Sequence, residues 1–218
     1  MQTPIPLVLA TGNPGKVREI RHLLQGYPVA IKHLGDFGPI PPVIEDGDTF
    51  EANAYKKASQ VARVLGIPAM ADDSGLMVDA LGGAPGVYSA RYGGEGLTDA
   101  QRCQKLLEEM EGETNRKATF VCVISIAVPT GPALTYEARC DGELTRKPRG
   151  DNGFGYDPCF LFPPLKRTFA QLNADEKGLV SHRGKALRDV RDEMEKIITW
   201  LQIHMPVPER FPCVNEPS

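Results

Sequence analysis

Four short stretches of the chain put charged, glycine and aromatic side chains where ligands are commonly held. In Thr11-Gly12-Asn13-Pro14-Gly15-Lys16 a short apolar run gives way to a helix start. A helix N-terminus presents unpaired N–H groups and a partial positive charge, which favour an anion. Glycines admit a ligand to the backbone, and Lys16 adds a full charge where the helix dipole would prefer an acid. The stretch lacks the G-x-x-x-x-G-K-[ST] pattern of a Walker A loop. It is also the composition of an ordinary strand-to-helix turn with a solvated lysine.

The second stretch, Asp72-Asp73-Ser74-Gly75, follows the apolar Ala69-Met70-Ala71. Adjacent residues of an extended chain point to opposite sides, so one aspartate is expected to hold metal or water and the other to brace the chain. Carboxylates bind Mg²⁺ alongside substrate phosphates, and one near a metal-held water can act as general base. An Asx-turn closing a short strand uses the same residues. The third stretch is Gly153-Phe154-Gly155-Tyr156-Asp157-Pro158. An aromatic between glycines can stack a planar ring, worth ~1–3 kcal/mol per base where measured; it can equally pack back on the core. The fourth is Lys177 followed by Ser181-His182-Arg183-Gly184-Lys185 at a helix start. Positive residues there oppose the helix dipole by ~0.3–1 kcal/mol each when exposed, a conflict that an electronegative ligand relieves and that a solvated face tolerates.

The elements that must position these residues follow from spacing. Leu7 to Ala10 reads as a buried strand, then a helix capped by Asn13 with Pro14 in its first position and Val17, Ile20, Leu23 and Leu24 inward. Residues 35–47 read as loop. A second helix is expected from Asp48, with Glu51 completing a capping box and Gly66 and Pro68 ending it. Ala69–Ala71 reads as a short strand feeding a turn at Asp72–Gly75. A third helix is expected from Thr98 with Gln101 as its box partner. Ala118–Val128 and Ala133–Cys140 read as an antiparallel pair, and 146–158 as loop. One last helix is expected from about Ser181, with Leu187, Val190, Met194, Ile197, Ile198 and Leu201 inward. The expected architecture is α/β: an elongated mixed sheet with flanking helices, in two lobes around a central cleft. Residues 1–204 read as one domain, and 205–218 as a proline-rich tail.

Composition narrows the function. In 218 residues, 41% are apolar and 24% charged, the balance of a globular protein. Twenty-five Lys and Arg against 28 Asp and Glu leave −3, which argues against a general nucleic-acid binder. No apolar run approaches the ~20 residues that cross a bilayer. Ile5 to Ala10 is too short for a signal segment and no basic residue precedes it. The five cysteines form no C-x-x-C pair and the four histidines no zinc spacing. Reduced thiols in a cytoplasmic protein, with any metal held by carboxylates, are the expectation.

Taken in order, these stretches resemble the inosine/xanthosine triphosphate pyrophosphatase family. The matching segments are residues 9–20 (LATGNPGKVREI), 49–58 (TFEANAYKKA), 71–94 (ADDSGLMVDALGGAPGVYSARYGG), 153–158 (GFGYDP) and 181–187 (SHRGKAL). The resemblance implies Mg²⁺-dependent cleavage of aberrant purine nucleoside triphosphates to monophosphate and pyrophosphate, by a homodimer. It implies that Thr11 to Lys16 cradle phosphate, that Asp73 is general base and metal contact, and that Ser74 touches substrate. Glu45 is implied as the second metal-side carboxylate, Phe154 to Asp157 as the base-stacking loop, and Lys177, His182 and Arg183 as readers of the base edge. The family often has paired acids before the Asn of the second helix, whereas here Ala52 follows Glu51.

Donors from His182 or Arg183 would pair with the 6-keto oxygen of hypoxanthine or xanthine and meet adenine's amine without an acceptor, a mismatch that polar sites reject strongly. Guanine shares that oxygen, so its exclusion depends on how the pocket treats the 2-amino group. Two alternatives stay open: a broader nucleotide pyrophosphatase of the related septum-inhibition type, and a nucleotide-binding module without turnover.

Overall fold

In the computed structural model, which describes residues 4–205, the first apolar run forms strand β1 (Ile5–Leu9). Its side chains alternate between two cores. Leu7 and Leu9 face helices α1 (Pro14–Leu23), α5 (His182–Asp192) and α6 (Met194–His204), while Val8 faces α2 (Phe50–Leu65). The sheet has seven strands in the order β2-β1-β3-β4-β5-β6-β7. Strand β1 runs parallel to β2 (Val29–His33) and β3 (Ala69–Val78), and the remaining pairs are antiparallel.

The backbone of the sheet is the pairing of β3 with β4 (Lys117–Ala127) and of β4 with β5 (Ala133–Leu144). Toward one end, Met70, Ile124 and Ile126 pack with Val190, Met194 and Ile197. Toward the other, Leu76, Val78 and Phe120 pack with Cys103 and Leu106 of α3 (Asp99–Glu109) and with Phe160 of β6 (Phe160–Phe162). The two ends of the sheet give two lobes, and between them the same strand β3 carries Asp72, Asp73 and Ser74.

Several local expectations change. The Asp72–Gly75 segment is not a turn but the middle of a ten-residue strand. Asp72 and Asp73 sit in register with Ile124 and Val123 of the β-branched β4, whose pairing overrides the low strand preference of aspartate. Helix α2 is capped by Thr49, not Asp48: the Thr49 hydroxyl accepts from Ala52 N at 3.1 Å, and Glu51 closes no box. The single helix expected from Ser181 is two, and a further helix precedes it. Helix α4 (Ala174–Val180) begins with a capping box between Asn173 and Glu176, and the chain turns at Ser181 into α5 and at Glu193 into α6. Strands β2, β6 and β7 (Arg167–Thr168) were not anticipated. Capping at Asn13 and the Thr98–Gln101 box stand as read, with Gly15 N donating to Asn13 Oδ1 at 2.8 Å. No helix among the described residues is long and apolar enough to cross a membrane. Of the proline-rich tail, residues 206–218 lie outside the described part.

Candidate active site

Asp72 joins three of the four stretches. Its Oδ2 accepts from Lys16 Nζ at 2.7 Å, from Ser74 Oγ at 3.1 Å, and from Arg183 Nη2 and Nε at 3.2 and 3.3 Å. Lys16 arrives from the first turn of α1 and Arg183 from the first turn of α5, so the carboxylate ties two helix starts to the strand between them. Burial alone would raise this carboxyl, but Lys16 and Arg183 outweigh it and hold it far below the usual carboxylate range. Its Oδ1 is buried without a hydrogen-bond partner among the described residues.

Asp73, next in the strand, faces the other way, as pleating requires. Its Oδ1 lies 2.9 Å from Lys57 Nζ of α2, and Glu45 Oε2 lies at the same distance from that ammonium. Buried Asn53 pins the loop that carries Glu45, accepting from Gly47 N at 2.8 Å and donating to Gly47 O at 3.3 Å. Burial raises the Asp73 carboxyl above its ordinary value. Glu45 and Asp72 add to the rise, while Lys57 opposes it. Lys57 is itself raised: burial would lower it, and Asp73 and then Glu45 overcome that. Two carboxylates converging on one positive charge are the donor set of a hard divalent ion, which takes one or two carboxylates and completes its shell with phosphates and water. Glu45 and Asp73 therefore fit such an ion, with Lys57 as the cation between them in this structure.

A cavity of about 340 Å³ opens between the lobes. Asn13, Lys16 and Ser74 line it from the strand side, His182 and Arg183 from α5, and Lys177 from α4. The Phe154-Gly155-Tyr156-Asp157 loop closes the far wall. Asp157 anchors this loop, accepting from Phe154 N at 2.9 Å and pairing with Lys177 Nζ. Lys177 Nζ and the Arg183 guanidinium stand 4.5 and 5.4 Å from the Phe154 ring centre. Among the described side chains, Thr11, Gly12, Gly15, Glu45 and Asp73 do not line the cavity, and that of Pro14 lies outside the described part; Thr11 Oγ1 accepts from Asn13 N at 3.2 Å and shapes the turn. Lys185 turns away and donates to Arg139 O at 2.9 Å.

His182 is stacked face to face on Phe120, with ring centres 4.6 Å apart and planes 6° apart. Burial drives its imidazole well below the ordinary histidine value, and the charges of Arg183 and Lys177 push the same way, so it is neutral at physiological pH. Its Nδ1 is buried without a hydrogen-bond partner among the described residues. Close packing sets this wall: a Cβ on Gly184 would come within 1.8 Å of Gly178 O, so only glycine lets α4 and α5 meet at Ser181. At Gly75 a Cβ would lie 2.4 Å from Gly86 O, where residues 86–91 cross β3 to bring Ser89 and Ala90 to the cavity.

Lys57, Asp99 and Arg102 carry no signal of a role in the sequence. The second and third lie at the start of α3 and line the cavity. Lys57 stood inside a quoted segment, but a lysine on a helix is usually solvated and its partners are distant in sequence. A larger hollow of about 680 Å³ lies beside the end of α3, among Glu108, Arg116, Arg146 and Lys147. It contains none of the candidate residues and no buried carboxylate.

The chain resembles known proteins over nearly all of this structure. It is 59% identical over 196 residues to a dITP/XTP pyrophosphatase of Desulfotalea psychrophila, covering 90% of this chain and 88% of that one. A protein of the same name from Syntrophobacter fumaroxidans is 58% identical, with 89% and 84% covered. Among solved structures, a HAM1 protein from Coxiella burnetii superposes with a TM-score of 0.84 at 42% identity, over 88% of this chain and 99% of that one. The Ham1 family model matches residues 7–193, a span that includes every candidate residue above. The chain belongs to the Ham1 family.

Proposed function

We propose that this protein is a pyrophosphatase for non-standard purine nucleoside triphosphates, splitting ITP, dITP and XTP into the monophosphate and pyrophosphate. The observation that carries the reading is the Asp72 junction, which holds the Lys16 ammonium and the Arg183 guanidinium on one oxygen at the floor of a cavity walled by Phe154. Cations at two helix starts suit a polyanionic tail, and an exposed aromatic beside them suits a base. The dITP/XTP pyrophosphatase names of the relatives support the same substrate class.

In the proposed reaction a water attacks a phosphorus of the α–β anhydride, and the bridging oxygen leaves with its electron pair. Asp73 takes the proton from that water. A carboxylate placed beside that water can serve as its general base. Lys16 offsets charge on the phosphate oxygens as it develops. Glu45 and Asp73 would hold Mg²⁺, which when bound neutralises phosphate charge and completes the electrostatic stabilisation. Neutral His182 and the start of α5 face the 6-keto edge, while Phe154 stacks the ring.

The test is a panel of ITP, dITP, XTP, dUTP, GTP and ATP with and without Mg²⁺, with products separated. Pyrophosphate release, dependent on the ion, is expected, with kcat/KM for ITP and XTP at least about 10²-fold above ATP. A flat profile would point to the broader pyrophosphatase, and tight ITP binding with no pyrophosphate to a module without turnover. Phe154→Ala should weaken ITP binding by ~1–3 kcal/mol through lost stacking, seen as a raised KM. An unchanged KM would remove Phe154 from base recognition. The same reading places the protein in the cytoplasm as a homodimer with no nucleic-acid partner; light scattering at twice the monomer mass is the expected result.

A further inference from the structure

The 6-keto oxygen is common to hypoxanthine, xanthine and guanine, so the groups that face it cannot separate the three. They differ at C2, which carries hydrogen in hypoxanthine, an oxygen acceptor in xanthine and an amino donor in guanine, and at the neighbouring N3, which is protonated or anionic only in xanthine. A residue that tells them apart must therefore place a donor or an acceptor at that edge.

Arg102 meets this requirement. It lies on the first turn of α3 and lines the same cavity as Phe154 and His182, but reaches it from a different element than Lys177, His182 and Arg183. Asp99 links it to the stacking loop, one carboxylate oxygen to each. Oδ1 accepts from Arg102 Nη1 at 3.0 Å, and Oδ2 accepts from Gly155 N at 2.7 Å. Cys103, the next residue of α3, donates its thiol to Gly155 O at 3.3 Å, so both polar groups of that glycine are tied to this helix. The guanidinium is thus held against the turn that carries the stacking ring. Its side chain is only 16% exposed, and its Nε is buried with no hydrogen-bond partner among the described residues. A buried charged donor without an acceptor is costly, and a ligand oxygen at that place removes the cost.

We propose that Arg102 is a specificity-determining residue that reads the 2-position of the base, accepting the 2-oxo group of xanthine and rejecting the 2-amino group of guanine. The xanthine ring of a nucleotide also sheds a proton near neutral pH, and the resulting negative charge lies along its N3–C2–O2 edge. A guanidinium favours that anion and disfavours an amino donor facing it. The proposal rests on the purine pyrophosphatase reading and assigns the step which the 6-keto readers leave unresolved.

Two variants and two measurements test it. Arg102→Gln removes the charge, and Arg102→Lys keeps the charge without the Nε donor. Calorimetric affinities for XMP, IMP and GMP are measured beside kcat/KM for XTP, ITP and GTP. In Arg102→Gln the XMP-to-IMP affinity ratio is expected to fall about tenfold or more, the size of one charge-assisted hydrogen bond, and the GMP-to-IMP ratio to rise. Arg102→Lys should fall between the two. Equal losses for XMP and IMP would overturn the proposal and leave Arg102 as a support for Asp99 and Gly155. Failure of the wild type to turn over ITP and XTP would sink the reaction reading, while the monophosphate ratios would still decide for or against Arg102.

Discussion

Asp73→Asn is expected to lower kcat by roughly 10²–10⁴-fold, the range lost with a general base, while leaving the fold intact. The substitution preserves shape, and in β3 the backbone pairing with Val123 is independent of the side chain. Lys57 keeps Glu45 as a partner at 2.9 Å, so no ammonium is stranded. The carboxyl that is removed is one that burial already disfavours in its charged form. The change in unfolding free energy should therefore stay below about 1 kcal/mol, or ~2–4 °C in Tm for a chain of this size. Turnover and thermal melting on the same preparation separate the two effects. A variant with near-normal kcat would show that another group takes the proton, while one that melts far below the wild type would make Asp73 a structural residue first.

The alternation of an extended chain implies that Asp72 and Asp73 face opposite sides unless a turn twists them, and in strand β3 they do: one pairs with Lys16 and Arg183, the other with Lys57. Local chemistry is legible in the same way. The Asn13 cap, the Thr98–Gln101 box and the αL stop at Gly66 are contacts within a few residues, and each forms as its spacing implies.

What the sequence concealed is non-local. Nothing within Asp72–Gly75 says that β4 will carry it through as strand, because the decisive contacts come from Val121 to Ile124, about fifty residues on. Lys57 is ordinary on its helix and becomes distinctive only when β3 and the Glu45 loop arrive beside it. Arg102 looks like a surface partner of Asp99 at i, i+3 until the 153–158 loop folds over it. One miss was avoidable: Asn173-Ala174-Asp175-Glu176 is a capping-box pattern, and it does start α4. The short strands β6 and β7 have three and two residues, too few for a periodic signal.

The largest stability effect should come from Asp72→Ala. Removing this carboxylate leaves the Lys16 ammonium and the Arg183 guanidinium facing each other without the oxygen they share, and Arg183 is only 6% exposed. Loss of one partner from a buried ion pair costs about 3–5 kcal/mol, against a total stability of ~5–15 kcal/mol for a domain. Urea unfolding is expected to show that drop, and Asp72→Asn a smaller one because its amide oxygen still accepts. The pH dependence has a definite sign. A carboxyl held far below its ordinary value contributes fully above the usual carboxylate range, and its contribution declines as pH falls from there toward the depressed native value. The gap between wild type and Asp72→Ala should accordingly be constant near neutrality and close only under strongly acid conditions. Anions provide the counter-test, since the Lys16 ammonium without the Asp72 carboxylate should bind pyrophosphate more tightly than the neutralised pair does. Added pyrophosphate is therefore expected to raise the melting temperature of Asp72→Ala more than that of the wild type. An unfolding free energy within about 1 kcal/mol of the wild type would mean that the junction is solvated and worth no more than a surface pair, and the cavity floor would then need a different support.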